Sequence, residues 1–221
     1  MPTKLLIVED HPLYADALQF AIRRAMRSVQ FTHAETLAAA RTAMQLHGEF
    51  DLVLLDLCLP DTHGFEGLVQ LRRCSPQLPI IIVSAFSDPG VVKTAMVCGA
   101  TGFIPKSATI DAILQGIRDA LAGDVTLPEE QLLPGNCVAT AELDTLVGRL
   151  NTLTEHQFRV LRLLCQGLLN VQIAHELHVR PSTIKAHVSE VLRKLGACSR
   201  THAVAKASKL SLSAAQALYA R

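Results

Sequence analysis

Short apolar runs punctuate the first half of the chain at helix-length intervals. Leu5-Leu6-Ile7-Val8 is followed by Leu52-Val53-Leu54-Leu55, Ile80-Ile81-Ile82-Val83 and the shorter Gly102-Phe103-Ile104-Pro105. Continuous rather than alternating apolar character marks strands buried on both faces, as in parallel sheets. The amphipathic stretches between them predict helices near Leu13–Met26, Leu37–His47, Phe65–Arg73, Val91–Cys98 and Ile110–Ala122, with one more strand around Val29–His33. Five strand–helix units joined by right-handed crossovers predict an α/β fold, a doubly wound five-stranded parallel sheet with helices on both faces.

The pattern then changes. Gly123, Pro128, Pro134 and Gly135 make a turn-rich boundary. A weaker helical spacing of Leu143, Leu146, Val147 and Leu150 predicts a linker helix and a candidate dimer contact. From 152 to 209 only helical periodicity remains. One helix ends at Gly167, a second carries Val171, Ile173, Ala174 and Leu177, and Pro181 opens a third that Gly196 stops. A fourth begins near Thr201. Short helices with tight turns predict a small all-α helix-turn-helix. The expected parts are 1–124, a linker at 125–148, and 149–221.

Charge separates the same parts. Residues 1–124 carry 10 Lys/Arg against 13 Asp/Glu, and residues 151–221 carry 10 against 3, although the whole chain is only +1. An acidic front and a basic back imply different partners, the back being suited to a polyanion. No apolar stretch approaches the roughly 18 residues of a membrane span, and the N-terminus enters a strand with no room for a signal peptide. Six cysteines lie far apart, without paired or zinc-type spacing. They predict reduced thiols in a cytoplasmic protein.

Polar residues close the apolar runs. Glu9 and Asp10 follow the first, Asp56 the second, Ser84 the third and Lys106 the fourth. Parallel strands end on one edge of their sheet, so these residues are expected to converge there. One acid at a strand end is usually a solvated loop residue. Five suitable residues at four strand ends form a chemical group. Asp56 is the candidate phosphoacceptor, a carboxylate able to take up a phosphoryl group. Glu9 and Asp10, with Asp56 and the Cys58 backbone carbonyl, are candidate Mg²⁺ ligands. Lys106 is placed to neutralise one phosphoryl oxygen and Ser84 to hydrogen-bond another.

The stretches Val8-Glu9-Asp10-His11-Pro12, Leu55-Asp56-Leu57-Cys58-Leu59-Pro60-Asp61-Thr62-His63-Gly64, Ser84-Ala85 and Phe103-Ile104-Pro105-Lys106-Ser107 closely resemble a response-regulator receiver domain, which is flavodoxin-like. Leu59 stands where that family usually has methionine, a conservative change. Leu153-Thr154-Glu155, Gly167, Asn170, Ile173-Ala174, Leu177, Thr183-Ile184-Lys185, His187, Lys194-Leu195-Gly196 and Arg200-Thr201 resemble a LuxR-type helix-turn-helix. Together they resemble the NarL/FixJ response regulators.

That resemblance implies phosphorylation of Asp56 by a sensor histidine kinase, with Mg²⁺. It implies a turn of Ser84 and an inward swing of Phe103, and then a homodimer on double-stranded promoter DNA, with RNA polymerase as a further partner. For Phe103 ordinary core packing stands as an equal reading. On the recognition helix Lys185, Ala186 and Ser189 match the base-facing positions, and Thr183, His187, Arg193 and Lys194 are candidate phosphate contacts.

Three residues depart from the family. Val171 replaces lysine, Leu169 a small polar residue, and Arg180 a serine N-cap. Losing that cap costs about 1 kcal/mol, which a phosphate contact by Arg180 would offset; the equal reading is that Arg180 points into solvent and the helix start is slightly weaker. Three rivals are an aspartate-dependent phosphohydrolase, for which no cap insertion is evident, a receiver that acts only as a phosphate-independent dimerisation or protein-binding module, and a small-molecule sensor with the same DNA-binding end, against which the complete phosphate site stands.

Overall fold

The computed structural model describes residues 2–26, 28–128, 145–146, 148–150 and 152–208. The chain divides into two compact units, Met1–Ala139 and Thr140–Arg221.

In the first unit β1 (Thr3–Val8), α1 (Pro12–Ala25), β2 (Val29–Ala34), α2 (Leu37–His47), β3 (Leu52–Leu55), α3 (Glu66–Cys74), β4 (Ile80–Ser84), α4 (Pro89–Val97), β5 (Gly102–Pro105) and α5 (Ile110–Ala122) follow one another. The strands are all parallel, in the order β2-β1-β3-β4-β5. Every predicted strand and helix of this unit is present. The largest shift is in α4, which begins at Pro89 rather than Val91 because proline, with its fixed φ and missing N–H, suits a first helical turn.

Alternation along each strand divides the core. Leu5, Ile7, Leu52, Leu54, Ile81, Val83 and Ile104 form one buried layer with Ala15, Leu18 and Ile22 of α1 and Ile113, Leu114, Ile117 and Ala120 of α5. Leu6, Val8, Val53, Leu55, Ile80, Ile82 and Phe103 alternate with them and are equally buried. The strand order reverses direction between β1 and β3. In doubly wound sheets the crevice beyond such a switch point is where ligands bind. It lies just beyond Val8 and Leu55, which are register partners, so the next residues in each chain direction, Glu9 and Asp56, meet there.

In this unit α2 and α5 are capped by polar side chains, whereas α1, α3 and α4 have no side-chain cap bond. Thr36 accepts from the Ala39 N–H, and the Asp61 carboxylate accepts from Leu37 and Ala38, both at 2.9 Å. Thus the loop following Asp56 also fixes the start of α2. Thr109 caps α5, and Gly123 ends that helix at φ 93°, in the left-handed region where glycine carries no Cβ penalty.

The second unit contains α6 (Glu155–Cys165), α7 (Asn170–Glu176), α8 (Pro181–Leu195) and α9 (Arg200–Ser208). Val160, Leu163, Leu164, Ile173, Ala174 and Ile184 make its core, with Leu168, Leu177, Val188 and Val204 packed against them. Thr154 and Gln157 form a reciprocal capping box at α6. Within the expected linker helix, residues 145–146 and 148–150 are helical, and Leu146 and Leu150 are buried. Leu143 and Val147 of that pattern lie outside the described residues, as does the expected end of the last helix beyond Ser208.

Candidate functional site

The ends of β1, β3, β4 and β5 bring the five strand-end residues together. Lys106 Nζ donates to Asp56 Oδ2 at 2.9 Å and to Glu9 Oε1 at 2.9 Å, with Glu9 Oε2 at 2.7 Å. Ser84 is fully buried, and its hydroxyl oxygen accepts the Phe86 N–H at 3.2 Å. The Lys106 N–H donates to the Ser84 carbonyl, which joins β5 to β4 at the rim of the site. Burial by itself would lower the Lys106 pKa. Hydrogen bonds and charge from Glu9 and Asp56 outweigh it, and the ammonium is held above its ordinary value.

The acids divide into two kinds. Both Glu9 oxygens face Lys106, and Oε1 also accepts the His11 N–H at 3.1 Å. Asp10 Oδ1 and Asp56 Oδ1 are buried with no hydrogen-bond partner. The His11 Nδ1 atom lies 2.8 Å from Asp10 Oδ1, but without hydrogen-bond geometry. Burying unsatisfied carboxylate oxygens is costly. Two of them in one crevice make a place for a cation. Ligand atoms of Glu9, Asp10, His11 and Asp56 all lie within 4.8 Å of one another. The open carboxylate oxygens are the hard donors that Mg²⁺ prefers. The donor set therefore fits Mg²⁺, with Asp10 and Asp56 the better placed ligands and Glu9 already engaged. Cys58 is half-buried two residues beyond Asp56.

Two residues of this crevice escaped the sequence reading. His11 reaches across the acid pair, and only its place directly after Glu9-Asp10 could have signalled this. Tyr14 lies one turn into α1 with its ring 4.9 Å from Lys106 Nζ. Burial pushes the Tyr14 phenol up, Lys106 opposes this, and Glu9 and Asp56 add to it.

Phe103 is 1% exposed, among the largest fully buried side chains. Its ring stands in the inward position, in the sheet layer opposite α1 and α5, an arrangement that both the core reading and the switch reading allow.

On the second unit, Lys185, Ala186 and Ser189 are exposed together on α8, as the helical spacing predicts, while Ile184, Val191 and Leu195 are buried. Arg180 is the N-cap residue of α8, with extended backbone and no side-chain cap bond. Thr183 and Arg180 are exposed. The half-buried His187 stacks on His156 of α6, with centroids 6.4 Å apart. The Ser189 hydroxyl donates to the Lys185 carbonyl, so it serves its own helix first.

Two of the cations named as phosphate contacts have partners within the unit. Arg193 makes a two-point pair with Glu190, which draws the Glu190 pKa down and the Arg193 pKa up. Lys194 donates to the Thr152 carbonyl at 2.7 Å and to Gln157 Oε1 at 2.8 Å, tying the end of α8 to the start of α6. The three-residue spacing of Glu190 and Arg193 was a readable signal for the first. Nothing local announces the second, because its partners are 37 and 42 residues away.

A doubly wound sheet with an acidic switch-point crevice, joined to a helix-turn-helix unit, defines a receiver coupled to a DNA-binding module. The response regulator receiver domain family matches residues 5–118, and the luxR family of bacterial regulatory proteins matches residues 151–207. The glycerol metabolism activator of Pseudomonas putida is 35% identical over 215 residues, covering 96% of this chain and 97% of that protein. The nitrate/nitrite response regulator NarL of Escherichia coli K12 is 30% identical, covering 91% and 93%. Among solved structures, a LuxR-family DNA-binding response regulator from Silicibacter pomeroyi is 29% identical, with a TM-score of 0.52, over 59% of this chain and 99% of that one. RcsB from Salmonella enterica serovar Typhimurium, bound to a promoter with phosphomimetic BeF3−, shares the fold at 20% identity and a TM-score of 0.53, covering 96% and 100%. The chain belongs to the NarL/FixJ family of two-component response regulators and is a regulator of transcription.

Proposed function

We propose that Asp56 accepts a phosphoryl group from a sensor histidine kinase and that this controls dimerisation and sequence-specific binding to double-stranded promoter DNA. The observation that carries it is the buried, unpartnered Asp56 Oδ1 in one crevice with the equally unpartnered Asp10 Oδ1, beside Lys106. Little covalent chemistry is asked of the protein in phosphoryl transfer; positioned charge does most of it. Asp56 supplies the attacking oxygen, and the bond from phosphorus to the kinase histidine breaks as the new one forms. Lys106 releases its two carboxylates to meet the phosphoryl oxygens, and Ser84 turns its hydroxyl from the Phe86 amide toward them. Asp10, Asp56 and the Cys58 carbonyl would hold Mg²⁺, with Glu9 adjoining. When bound, the ion supplies charge neutralisation.

Residues 1–124 form the receiver, 125–148 the linker and 149–221 the DNA-binding domain of this cytoplasmic protein. Its partners are DNA, the kinase, a second copy and RNA polymerase; it has no catalytic activity of its own on other substrates. Lys185, Ala186 and Ser189 face base edges, and Arg180, Thr183 and His187 the backbone, with Arg193 and Lys194 at the margin. Few side chains on this face can make bidentate base contacts, so DNA shape carries much of the selectivity.

The test is enrichment of fragmented genomic DNA on the wild-type protein and on Asp56→Asn, each with and without beryllofluoride and Mg²⁺. Two-fold sites should be enriched by the mimic in the wild type alone. A mimic-dependent gain that persists in Asp56→Asn overturns the first step.

A further inference from the structure

The chain does not leave the receiver fold when α5 ends. It returns to β5 and adds one residue to the sheet. The Thr126 N–H donates to the Thr101 carbonyl at 3.3 Å, and the Phe103 N–H donates to the Thr126 carbonyl at 2.9 Å. These bonds place Thr126 in a parallel bridge beside Gly102. The Thr126 hydroxyl donates to the Gly116 carbonyl of α5 at 3.1 Å. One residue therefore joins strand, helix and the first part of the segment that leads to the DNA-binding unit.

Two missing side chains make its seat. A Cβ on Gly102 would lie 2.9 Å from Thr126 Cβ and 3.0 Å from its carbonyl oxygen. A Cβ on Gly116 would lie 2.8 Å from Thr126 Cγ2 and 2.8 Å from Ile104 Cδ1. Both approaches are closer than packed atoms tolerate. Gly102 on β5 and Gly116 on α5 together hollow out the notch that Thr126 fills.

The strand so gripped is the one tied to the acidic crevice. On its far side β5 pairs with the strand that carries Ser84, with Ser84 opposite Pro105. Just past its end, Lys106 holds Glu9 and Asp56. A phosphoryl group on Asp56 would compete for Lys106 and Ser84, and both act on the position of β5. The bond from the Phe103 amide to Thr126 lies on the opposite edge of that short strand.

We propose that Thr126 is the coupling latch through which the state of the receiver reaches the segment leading to the DNA-binding unit, and that Gly102 and Gly116 are glycine so that it can seat. This rests on the reading of Asp56 as phosphoacceptor. Coupling in this sense means that the latch biases one two-state equilibrium from two places.

The experiment uses the full chain as wild type, Gly102→Ala and Thr126→Pro. Gly102→Ala evicts the latch from the strand side. Thr126→Pro removes the N–H bonded to Thr101 and the hydroxyl bonded to the Gly116 carbonyl, and leaves the residues of β5 and α5 themselves unsubstituted. Three quantities are read: the ¹⁹F resonance of bound beryllofluoride, the exchange rate of the Phe103 amide, and affinity for an enriched DNA fragment with and without the mimic. Both variants should bind beryllofluoride and exchange the Phe103 amide faster. Their mimic-dependent gain should fall to about one, from the roughly 5- to 150-fold of ordinary allosteric coupling. Should Gly102→Ala lose the ¹⁹F signal, Thr126→Pro decides alone. An undiminished gain with the Phe103 amide exposed overturns the latch. So does high affinity without the mimic, which would make Thr126 a restraint and not a transmitter. A wild type that binds beryllofluoride with no gain at all keeps Asp56 as the acceptor and sinks its proposed control of DNA binding, and that arm is separate from the variants.

Discussion

Replacing Lys106 by methionine removes one ammonium from a crevice of acids and keeps the apolar stem. Its Nζ sits 2.9 Å from Asp56 Oδ2 and 2.7 Å from Glu9 Oε2, and those side chains are only 2% and 3% exposed. Taking away one partner of a buried ion pair costs about 3–5 kcal/mol, because the remaining charge is left uncompensated. Lys106 itself is 17% exposed, so water screens part of the loss. The expected destabilisation of the receiver is about 3 kcal/mol at neutral pH. The pH dependence has a definite sign. The folded-state pKa of Lys106 is raised above 10.5, so its stabilisation is complete below that value and is lost as pH climbs past it. Wild type should therefore weaken more steeply on the alkaline limb than the methionine variant, in which the raised Tyr14 phenol and Cys98 thiol still contribute but Lys106 does not. Mg²⁺ would restore positive charge to the crevice, so it should stabilise the variant more than the wild type. Urea unfolding of the receiver transition, in chelator and in Mg²⁺, measures all three effects. A loss under about 1 kcal/mol in chelator, the scale of an exposed pair, would refute the reasoning. So would equal Mg²⁺ stabilisation of both proteins.

Other perturbations separate stability from recognition in the DNA-binding unit. Arg180→Ser restores a capping side chain and should raise the stability of that unit by about 1 kcal/mol in thermal unfolding. It should also weaken DNA binding uniformly across sequences and reduce the slope of log affinity against log salt by about 0.9 for each site lost; unchanged or tighter binding removes the phosphate contact. His178→Gly acts on the turn between α7 and α8, where His178 is exposed at φ 52°. A side chain in that left-handed region costs about 1–2 kcal/mol, against roughly 0.5–1 for the added freedom of glycine. The variant should unfold later, by about 0.5–1 kcal/mol, with DNA affinity unchanged; a lower midpoint would show that the imidazole holds the turn.

Sheet and crevice were legible because both depend on local pattern. Runs such as Leu52-Val53-Leu54-Leu55, short and spaced by helix-length amphipathic stretches, read as strands buried on both faces, and once the strands are parallel their trailing polar residues must share an edge. The condition of those residues was less legible. That Glu9 is engaged by Lys106 while Asp10 Oδ1 stays open depends on side-chain rotamers across 97 residues of separation. Phe103 shows the same limit. Its residue type marked it as core or switch alike, and burial was decided by the neighbouring strands. Thr126 gave no signal at all. It stands in a turn-rich stretch between Gly123 and Pro128, and its role emerges only when two glycines, fourteen residues apart, are seen to face it.

The basic surplus of the second unit shows why net charge alone misjudges a DNA-binding surface. Arg193 is spent on Glu190, and Lys194 on the start of α6. Arg200 donates to the Leu168 carbonyl and to Asn170 Oδ1, bracing the turn before α7. Lys206 donates to the carbonyls of Leu195 and Gly196, and Arg149 also donates to Leu195. Cations at the C-terminal end of α8 meet the unpaired carbonyls and the negative end of the helix dipole. They hold the recognition helix in place and stand at the opposite end from Arg180 and Lys185. The charge that assembles the helix is thus separated along one element from Arg180 and Lys185, the cations proposed to address DNA. Neutralising Lys206 should loosen α8 with little change in salt dependence, whereas neutralising Lys185 should do the reverse.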